Sequence, residues 1–329
     1  MYYAGGPEAF RIPQCGTAEP RSGEKCGLGH AREEPVTALN THTKPDPLGL
    51  IGLGLLGSAL AERFLGAGFR VVGFDIETER RENLCRLGGD AVTSAALVAA
   101  NCRRVVLCLP NSEIAAAVLA EIGPHLGPGA IVVDTTTGEP EQMEALGRGL
   151  RERGLEYLDA TVGGSSQQVR ASQAIVMAGG DAEAFACCRD LFACFARQAF
   201  HLGPCGSGAR MKLVVNLVLG LNRAALAEGL AFAAACGVDP VVALEVLKAG
   251  VSYSRVMETK GPKMLAGDFT PEARLSQHLK DVRLILTAGE RCGARLPLSG
   301  LHRELLERLE AAGLGAADNC VIIEAFRQR

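Results

Sequence analysis

The sequence predicts an α/β protein: an N-terminal doubly wound parallel sheet of Rossmann type, followed by an all-α C-terminal domain built on one long helix. Three observations carry that reading. Short apolar runs alternate with amphipathic stretches from Leu48 to Leu202. A glycine-rich turn, "GLGLLG" at 52–57, joins the first apolar run to the first amphipathic stretch. After Gly203 the texture changes to long helical periodicity. Alternation of this kind signals parallel strands covered by helices.

The elements follow in chain order. Residues 1–47 are rich in Gly, Pro, Glu, Arg and Thr and lack an apolar period. They read as a disordered tail, or as a spurious extension translated from an upstream start codon. Strands are predicted at Leu48–Ile51, Arg70–Phe74, Arg104–Leu109, Ala130–Val133, Leu155–Leu158 and Ala174–Met177, with an edge strand near Gln198–Leu202. Amphipathic helices fall between them, at Ser58–Leu65, Glu113–Ile122 and Glu141–Arg153 among others. The dinucleotide-binding domain is thus placed at 48–205 and the helical domain at 206–329, with the boundary near Gly203–Ser207. The helical domain opens on a single helix of about thirty residues, apolar almost all round, as suits a large core or a subunit interface. Further helices are predicted at Asp239–Ala249, Leu275–Arg291, Pro297–Ala312 and Asp318–Phe326.

Composition narrows the function classes. The 329-residue chain carries a formal net charge of −3, so it has no basic field for nucleic acid. Its longest uninterrupted candidate span, Leu213–Leu221, contains Asn216 and is followed by Asn222, so no membrane span is predicted. The N-terminus lacks a secretory h-region, which leads to the expectation of a cytoplasmic protein. The twelve cysteines form no C-x-x-C and no His/Cys pairs. No metal is expected, and the cysteines read as small buried apolar residues in a reducing compartment.

The glycine-rich turn has a specific chemistry. Gly52 allows a tight exit from the first strand, Gly54 leaves room for a pyrophosphate, and Gly57 lets the helix pack close to the strand. The helix N-terminus behind them, with Leu53, Leu55 and Leu56 in the turn, offers N–H groups to phosphate. Asp75 ends the next strand about twenty residues on, where an acid accepts hydrogen bonds from the adenosine ribose. A 2′-phosphate would be repelled there, so NAD is favoured. Nearby Arg80 and Arg81 soften that preference and admit NADP. Asp75 also stands where a helix N-cap could lie.

At this point the chain resembles the β-hydroxyacid dehydrogenase family, which includes 3-hydroxyisobutyrate dehydrogenases, tartronate semialdehyde reductases and glyoxylate/succinic semialdehyde reductases. Four motifs carry the resemblance in order: "GLIGLGLLGSALAERFLGAG" (49–68), "DATVGGSSQQ" (159–168), "GSGARMKLVVN" (206–216) and "LKDVRL" (279–284). The resemblance implies that Leu109 and Pro110 of "CLPN" and Thr137 of "DTTTGEP" line the nicotinamide half. It also implies that Lys280 approaches the nicotinamide ribose or the substrate. It places a small carboxylate-bearing substrate on the "DATVGGSSQQ" segment, read as a loop after a strand, with Gly163, Gly164 and Ser165 as the clamp. The family usually reads D-A-P-V-S-G-G there; Thr161, Gly163 and Ser165 depart from it, which leaves the substrate open.

Lys212 stands near the start of the long apolar helix, an unusual position for a lysine. Asn216 follows four residues later, on the same helix face. Hydride transfer leaves a proton to be moved on the substrate oxygen, and a partly buried lysine of lowered pKa suits that task. Asn216 is expected to orient the lysine or the substrate hydroxyl. Asp281 reads as a structural partner for Arg283 or a neighbouring helix, and Arg210 as phosphate- or surface-facing. His201 and His278 read as lone core or surface histidines, since no second histidine accompanies either. A homodimer or homotetramer with helical domains in contact is expected. Two other readings stay open: an imine reductase-like NADPH enzyme, whose relatives usually replace the lysine, and a non-catalytic NADH-binding module.

Overall fold

A computed structural model describes residues 46–327. The expected N-terminal extension therefore lies outside the described residues except for its last two. One eight-stranded sheet organises residues 48–201, in the order β3-β2-β1-β4-β5-β6-β7-β8. Its strands are β1 (Leu48–Ile51), β2 (Val71–Phe74), β3 (Asp90–Ala91), β4 (Arg104–Leu107), β5 (Ile131–Asp134), β6 (Glu156–Gly163), β7 (Ala174–Gly179) and β8 (Ala196–His201). Neighbours from β3 to β6 run parallel, β6 and β7 pair antiparallel, and β8 returns parallel to β7. The chain turns one way from β1 to β2 and the other way to β4. That reversal opens a crevice at the carboxyl ends of β1 and β4.

The strands are apolar on both faces because helices cover both. Leu48, Leu50, Val106, Val133, Leu158 and Ala160 point into one core, packed by α1 (Leu55–Gly66) and α8 (Arg189–Phe195). Their alternates Ile51, Val105, Leu107, Val132 and Tyr157 point into the other, packed by α3 (Ala95–Asn101), α4 (Ser112–Ile122) and α5 (Pro140–Arg151). Period-two alternation with both faces buried is what a covered parallel sheet requires. Phe64 of α1 is fully buried against Phe69 and Phe195; cutting such a ring to alanine costs about 3–5 kcal/mol. The helix starts are marked locally: Ser94 and Asn111 cap α3 and α4 through their side chains, and Pro140 occupies the first turn of α5. Short helices α2 (Thr78–Arg86), α6 (Ser166–Arg170) and α7 (Ala182–Ala186) complete the layer.

Several expected boundaries differ. β6 runs to Gly163, so Asp159–Gly163 belong to a strand and not to a loop. The cause is the antiparallel ladder with β7, which pairs Asp159 with Gly179 and Gly163 with Ile175. The sheet is accordingly mixed at one side. The two-residue β3 has too short an apolar signature to be read from sequence.

The helical part begins with α9 (Ser207–Ala235), 29 residues long. It packs on β6, β7 and the later helices α10 (Pro240–Ala249), α11 (Val256–Thr259), α12 (Gly261–Ala266), α13 (Leu275–Arg291) and α14 (Pro297–Leu309). A third core of Leu226, Leu230, Leu244, Met264, Leu279, Leu306 and Ile322 holds this bundle. By length and composition α9 could cross a membrane, yet its buried residues line this bundle and the sheet. It is not buried all round: Met211, Val214, Val218 and Phe232 are exposed. The last predicted helix is a 3₁₀ segment, Asn319–Ala325, started by the Asp318 side chain accepting from the Cys320 N–H. Of the ten described cysteines, none is disulfide-bonded, and Cys85, Cys187, Cys236 and Cys292 are exposed, contrary to the expectation of uniform burial. They sit on helix surfaces and helix ends, where no described residue covers them.

Asp134, at the end of β5, is fully buried and accepts from the Thr136 N–H and the Tyr157 hydroxyl, both at 2.8 Å. Burial pushes its carboxyl up to about 6. The folded chain therefore holds this proton more tightly than the unfolded chain does. The stability it contributes is complete below about pH 4 and is lost as pH rises through about 6. Asp134→Asn is expected to flatten that slope and raise stability at pH 8 by about 1–3 kcal/mol. Urea denaturation at pH 4, 6 and 8 measures it; an unchanged slope would remove Asp134 as its source.

Candidate active site

The cradle at the end of β1 is shaped by its glycines. Gly52 has φ +94°, and a Cβ there would stand 2.2 Å from the Cys108 carbonyl oxygen. A Cβ at Gly57 would stand 1.9 Å from the Gly52 carbonyl oxygen, so α1 lies directly on the turn. Gly54, by contrast, opens α1 with only the Arg80 Nη1 atom 4.0 Å from where its Cβ would be. This open position before a helix N-terminus fits a pyrophosphate, and it is the observation that admits a dinucleotide here. Leu53 is buried beneath the turn, Leu55 is exposed and Leu56 packs against the core.

Asp75 ends β2 in a buried position. Its carboxylate accepts from the Leu53 N–H at 2.7 Å and the Glu77 N–H at 2.9 Å, and pairs with Arg80 at 3.3 Å. The acid thus holds the glycine-rich turn in shape, and Glu77, not Asp75, is the N-cap of α2. A carboxylate has about four acceptor sites; Leu53, Glu77 and the two long contacts of Arg80 Nη1 take all four, so a ribose hydroxyl would take the place of Arg80. Arg81 is spent on the carbonyls of Asp75 and Ile76.

On the far side of the crevice, Lys280 of α13 reaches the loops after β4 and β5. Its Nζ donates to the carbonyls of Pro110 and Thr137, each at 3.1 Å. Leu109 lies partly buried beside them, its N–H donating to the Thr136 hydroxyl. One lysine thereby ties the helical part to both loops.

The α9 residues meet β6 under tight constraint. Asp159 accepts from the Gly206 N–H at 2.9 Å and the Ala209 N–H at 2.8 Å, which caps α9. The Thr161 hydroxyl donates to the Gly208 carbonyl at 3.1 Å. With the helix start fixed, Lys212 is partly buried and its Nζ donates to the Val162 carbonyl at 2.6 Å. Burial holds its ammonium below the usual lysine range; Asp281 opposes that shift and Lys280 adds to it. Asn216 is buried, and its Nδ2 donates to Asp281 Oδ2 at 2.9 Å. Asp281 also lies 3.5 Å from the Lys280 ammonium. Burial pushes the Asp281 carboxyl up, against the pull of Lys280, Lys212 and Asn216.

Of the two partners expected for Asp281, the neighbouring helix is the one it takes, through Asn216 of α9, while Arg283 pairs with Glu307. Helix geometry decides between them, since Asp281 faces α9 and Arg283 faces α14. Arg210 is exposed, as expected, and pairs with Glu144 of α5. Other positions differ. Ser165 forms a capping box for α6: its N–H donates to Gln168 Oε1 at 2.9 Å and its Oγ accepts from the Gln168 N–H at 3.3 Å. The hydroxyl proton alone is left to donate. Gly164 stands outside that box, exposed, with φ +145°, and Gly163 closes β6 against Ile175. His278 is not a lone histidine: its ring lies 5.2 Å from that of His302. Asp159 is the residue whose positioning role the sequence did not disclose, and for Asp281 it did not name the particular partner, Asn216. Their partners lie 47 and 65 positions away.

Residues 47–203 match the family described as the NAD binding domain of 6-phosphogluconate dehydrogenase. Residues 206–326 match the one described as NAD-binding of NADP-dependent 3-hydroxyisobutyrate dehydrogenase. L-threonate dehydrogenase of Cupriavidus necator is 31% identical over 283 residues, covering 85% of this chain and 95% of that protein. Glyoxylate/succinic semialdehyde reductase 1 of Arabidopsis thaliana is 27% identical, covering 85% and 98%. A crystal structure of 3-hydroxyisobutyrate dehydrogenase from Salmonella typhimurium superposes with a TM-score of 0.78 at 26% identity, covering 84% of this chain and 98% of its own.

Gly54→Val tests the cradle, because the fold leaves room for the side chain while a pyrophosphate does not. Affinity for NADH, read by fluorescence titration, is expected to fall about tenfold or more, with the melting temperature little changed. Undiminished affinity would place the phosphates elsewhere.

Proposed function

The chain belongs to the β-hydroxyacid dehydrogenase family and is an NAD(P)-dependent oxidoreductase acting on hydroxy acids, and from that premise we propose its reaction. It interconverts a small β-hydroxy acid, of the 3-hydroxyisobutyrate kind, with its semialdehyde or oxo acid, and Lys212 moves the proton. The observation that carries this reading is the seat of the Lys212 ammonium, 2.6 Å from the Val162 carbonyl and four residues from the Asp281-held Asn216.

The cofactor would be held by the Gly52–Gly57 turn, with Asp75 on the adenosine ribose and Leu109, Pro110, Thr137 and Lys280 around the nicotinamide half. When bound, it supplies or takes up the hydride. Everything else falls to side chains. An ammonium has three donors; Val162 fixes one, and another is free for the substrate oxygen. In reduction Lys212 protonates the developing alkoxide. In oxidation the neutral amine accepts the proton of the alcohol, which its lowered pKa favours. Asp281 fixes the Asn216 amide by its Nδ2, so the Oδ1 faces the reacting hydroxyl as an acceptor. The Gly164 N–H and the Ser165 hydroxyl clamp the substrate carboxylate. Lys212 and Lys280 outnumber Asp281 at this end of the crevice, which favours an anionic substrate.

The assembly is proposed as a homodimer or homotetramer. Val214, Val218 and Phe232 of α9 and Val241, Val242 and Val246 of α10 are exposed apolar residues that a second copy would cover. Val218→Asp is then expected to halve the mass measured by light scattering; an unchanged mass would place the contact elsewhere.

A panel of semialdehydes, oxo acids and glyoxylate, run with NADH and NADPH, tests the reaction. Binding of NADH with no turnover of any carbonyl would favour a non-catalytic module. Lys212→Ala is expected to lower turnover by about two decades or more, with NADH affinity unchanged. Asp281→Asn removes the carboxylate that supports the Lys212 ammonium, so the basic limb of the pH profile for reduction should move to lower pH. An unmoved limb would sever Asp281 from the lysine.

A further inference from the structure

The centre of the helical bundle holds donors that the reaction does not use. Arg223 lies on α9 about two turns beyond Asn216, at 2% exposure. Its Nε and Nη2 find no hydrogen-bond partner among the described residues. The carboxylate whose field reaches it is Asp318. That group is already committed: it accepts from Lys260 Nζ at 3.0 Å and from the N–H groups of Glu272, Ala273 and Cys320 at 2.9, 3.1 and 3.0 Å.

Two imidazoles stand in the same place. His278 of α13 and His302 of α14 are both buried, and the Nε2 atom of each lacks a partner among the described residues. Gly220 of α9 makes their approach possible. A Cβ there would stand 2.6 Å from His278 Nε2 and 2.7 Å from His302 Cε1. Burial, with the Arg223 charge beside them, holds His278 well below its ordinary value and His302 down to about 4. Both rings are neutral at pH 7, whereas Arg223, lowered by burial to about 10, keeps its charge.

The result is a buried guanidinium with two unpartnered donors and no direct ion pair among the described residues, flanked by two neutral rings that can each donate through Nε2. Asp318 acts on it only through its field, and shares Lys260 with Glu272. Water would satisfy the donors but leave the guanidinium without a direct ionic partner, which is disfavoured in a core. We propose that Arg223, His278 and His302 form a binding site for a compact inorganic monovalent anion of the chloride type, in the core of the helical domain. The guanidinium supplies the charge, and the imidazoles complete the donor set as their Nε2–H tautomers. The site is separate from the substrate clamp, and its ligand is structural.

Two measurements on the whole protein test this. Crystals grown in sodium bromide should show an anomalous peak within hydrogen-bonding reach of the Arg223 guanidinium. In solution the melting temperature should rise by about 2 °C per tenfold increase in bromide, relative to gluconate of equal ionic strength. Arg223→Met should abolish that rise. A bromide map with no anomalous density at Arg223, or a halide effect that survives in Arg223→Met, overturns the proposal. Should that variant fail to fold, the map of the unsubstituted protein decides alone. Substrate turnover plays no part in either readout, so these results stand independently of the proposed reaction.

Discussion

The joint between β6 and α9 is the constraint on which the rest of the site depends. The Asp159 carboxylate sits in the mouth of α9 and accepts the N–H groups of Gly206 and Ala209. Each such charge-assisted bond contributes about 1.5–3 kcal/mol, and the helix dipole adds to it. Burial alone would push this carboxyl further up; the helix N–H groups pull it back. Gly208 allows the approach, since a Cβ there would stand 2.1 Å from the Asp159 carbonyl oxygen. The strand that carries Val162 and Gly163 and the helix that carries Lys212 and Asn216 are therefore one rigid unit. The lysine points where it does because a strand acid, 53 positions earlier in the chain, caps its helix.

Rigidity at that joint allows the electrostatics to be tuned by few groups. Two lysines and one aspartate share the end of the crevice. Burial takes the Lys212 ammonium below its usual range, Lys280 pushes it the same way, and Asp281 limits the fall. Lys280 does a second job by bridging the carbonyls of Pro110 and Thr137. The helical part and the loops after β4 and β5 are held together by a side chain that also acts on the Lys212 ammonium. Substitution of Lys280 therefore changes both position and charge, and the two effects cannot be read separately from that variant.

How much of this was legible depends on the range of each interaction. The glycine turn is local. Gly52, Gly54 and Gly57 occupy three different steric situations, and each is stated by spacing alone. The positions of Lys212 and Asn216 on one face follow from the helical period. Ser165 has a second role that its reading as a clamp passed over: Gln168 three residues on makes it a helix cap as well. That partner was also local and could have been read from the S-x-x-Q spacing. The "DATVGG" segment misled: it looks like a glycine-rich loop until β7 pairs with it. Asp281 and His278 gave no local sign of their partners. Nothing in "SQHLKDVR" says that its aspartate faces α9 or that its histidine meets another from α14.

By itself the sequence determined the two-part plan, the alternation of the longer strands with helices, the dinucleotide turn and the lysine helix. All of these rest on periodicity, on glycine's missing side chain and on short spacings, which act within a few residues. The tertiary structure decided the antiparallel step at β6–β7, the cap on α9, the Asn216–Asp281 pair, the exposed face of α9 and the buried Arg223 cluster. Each needs two segments brought together from far apart in the chain. Their energies come from desolvation and hydrogen-bond geometry, and both exist only once the core has closed.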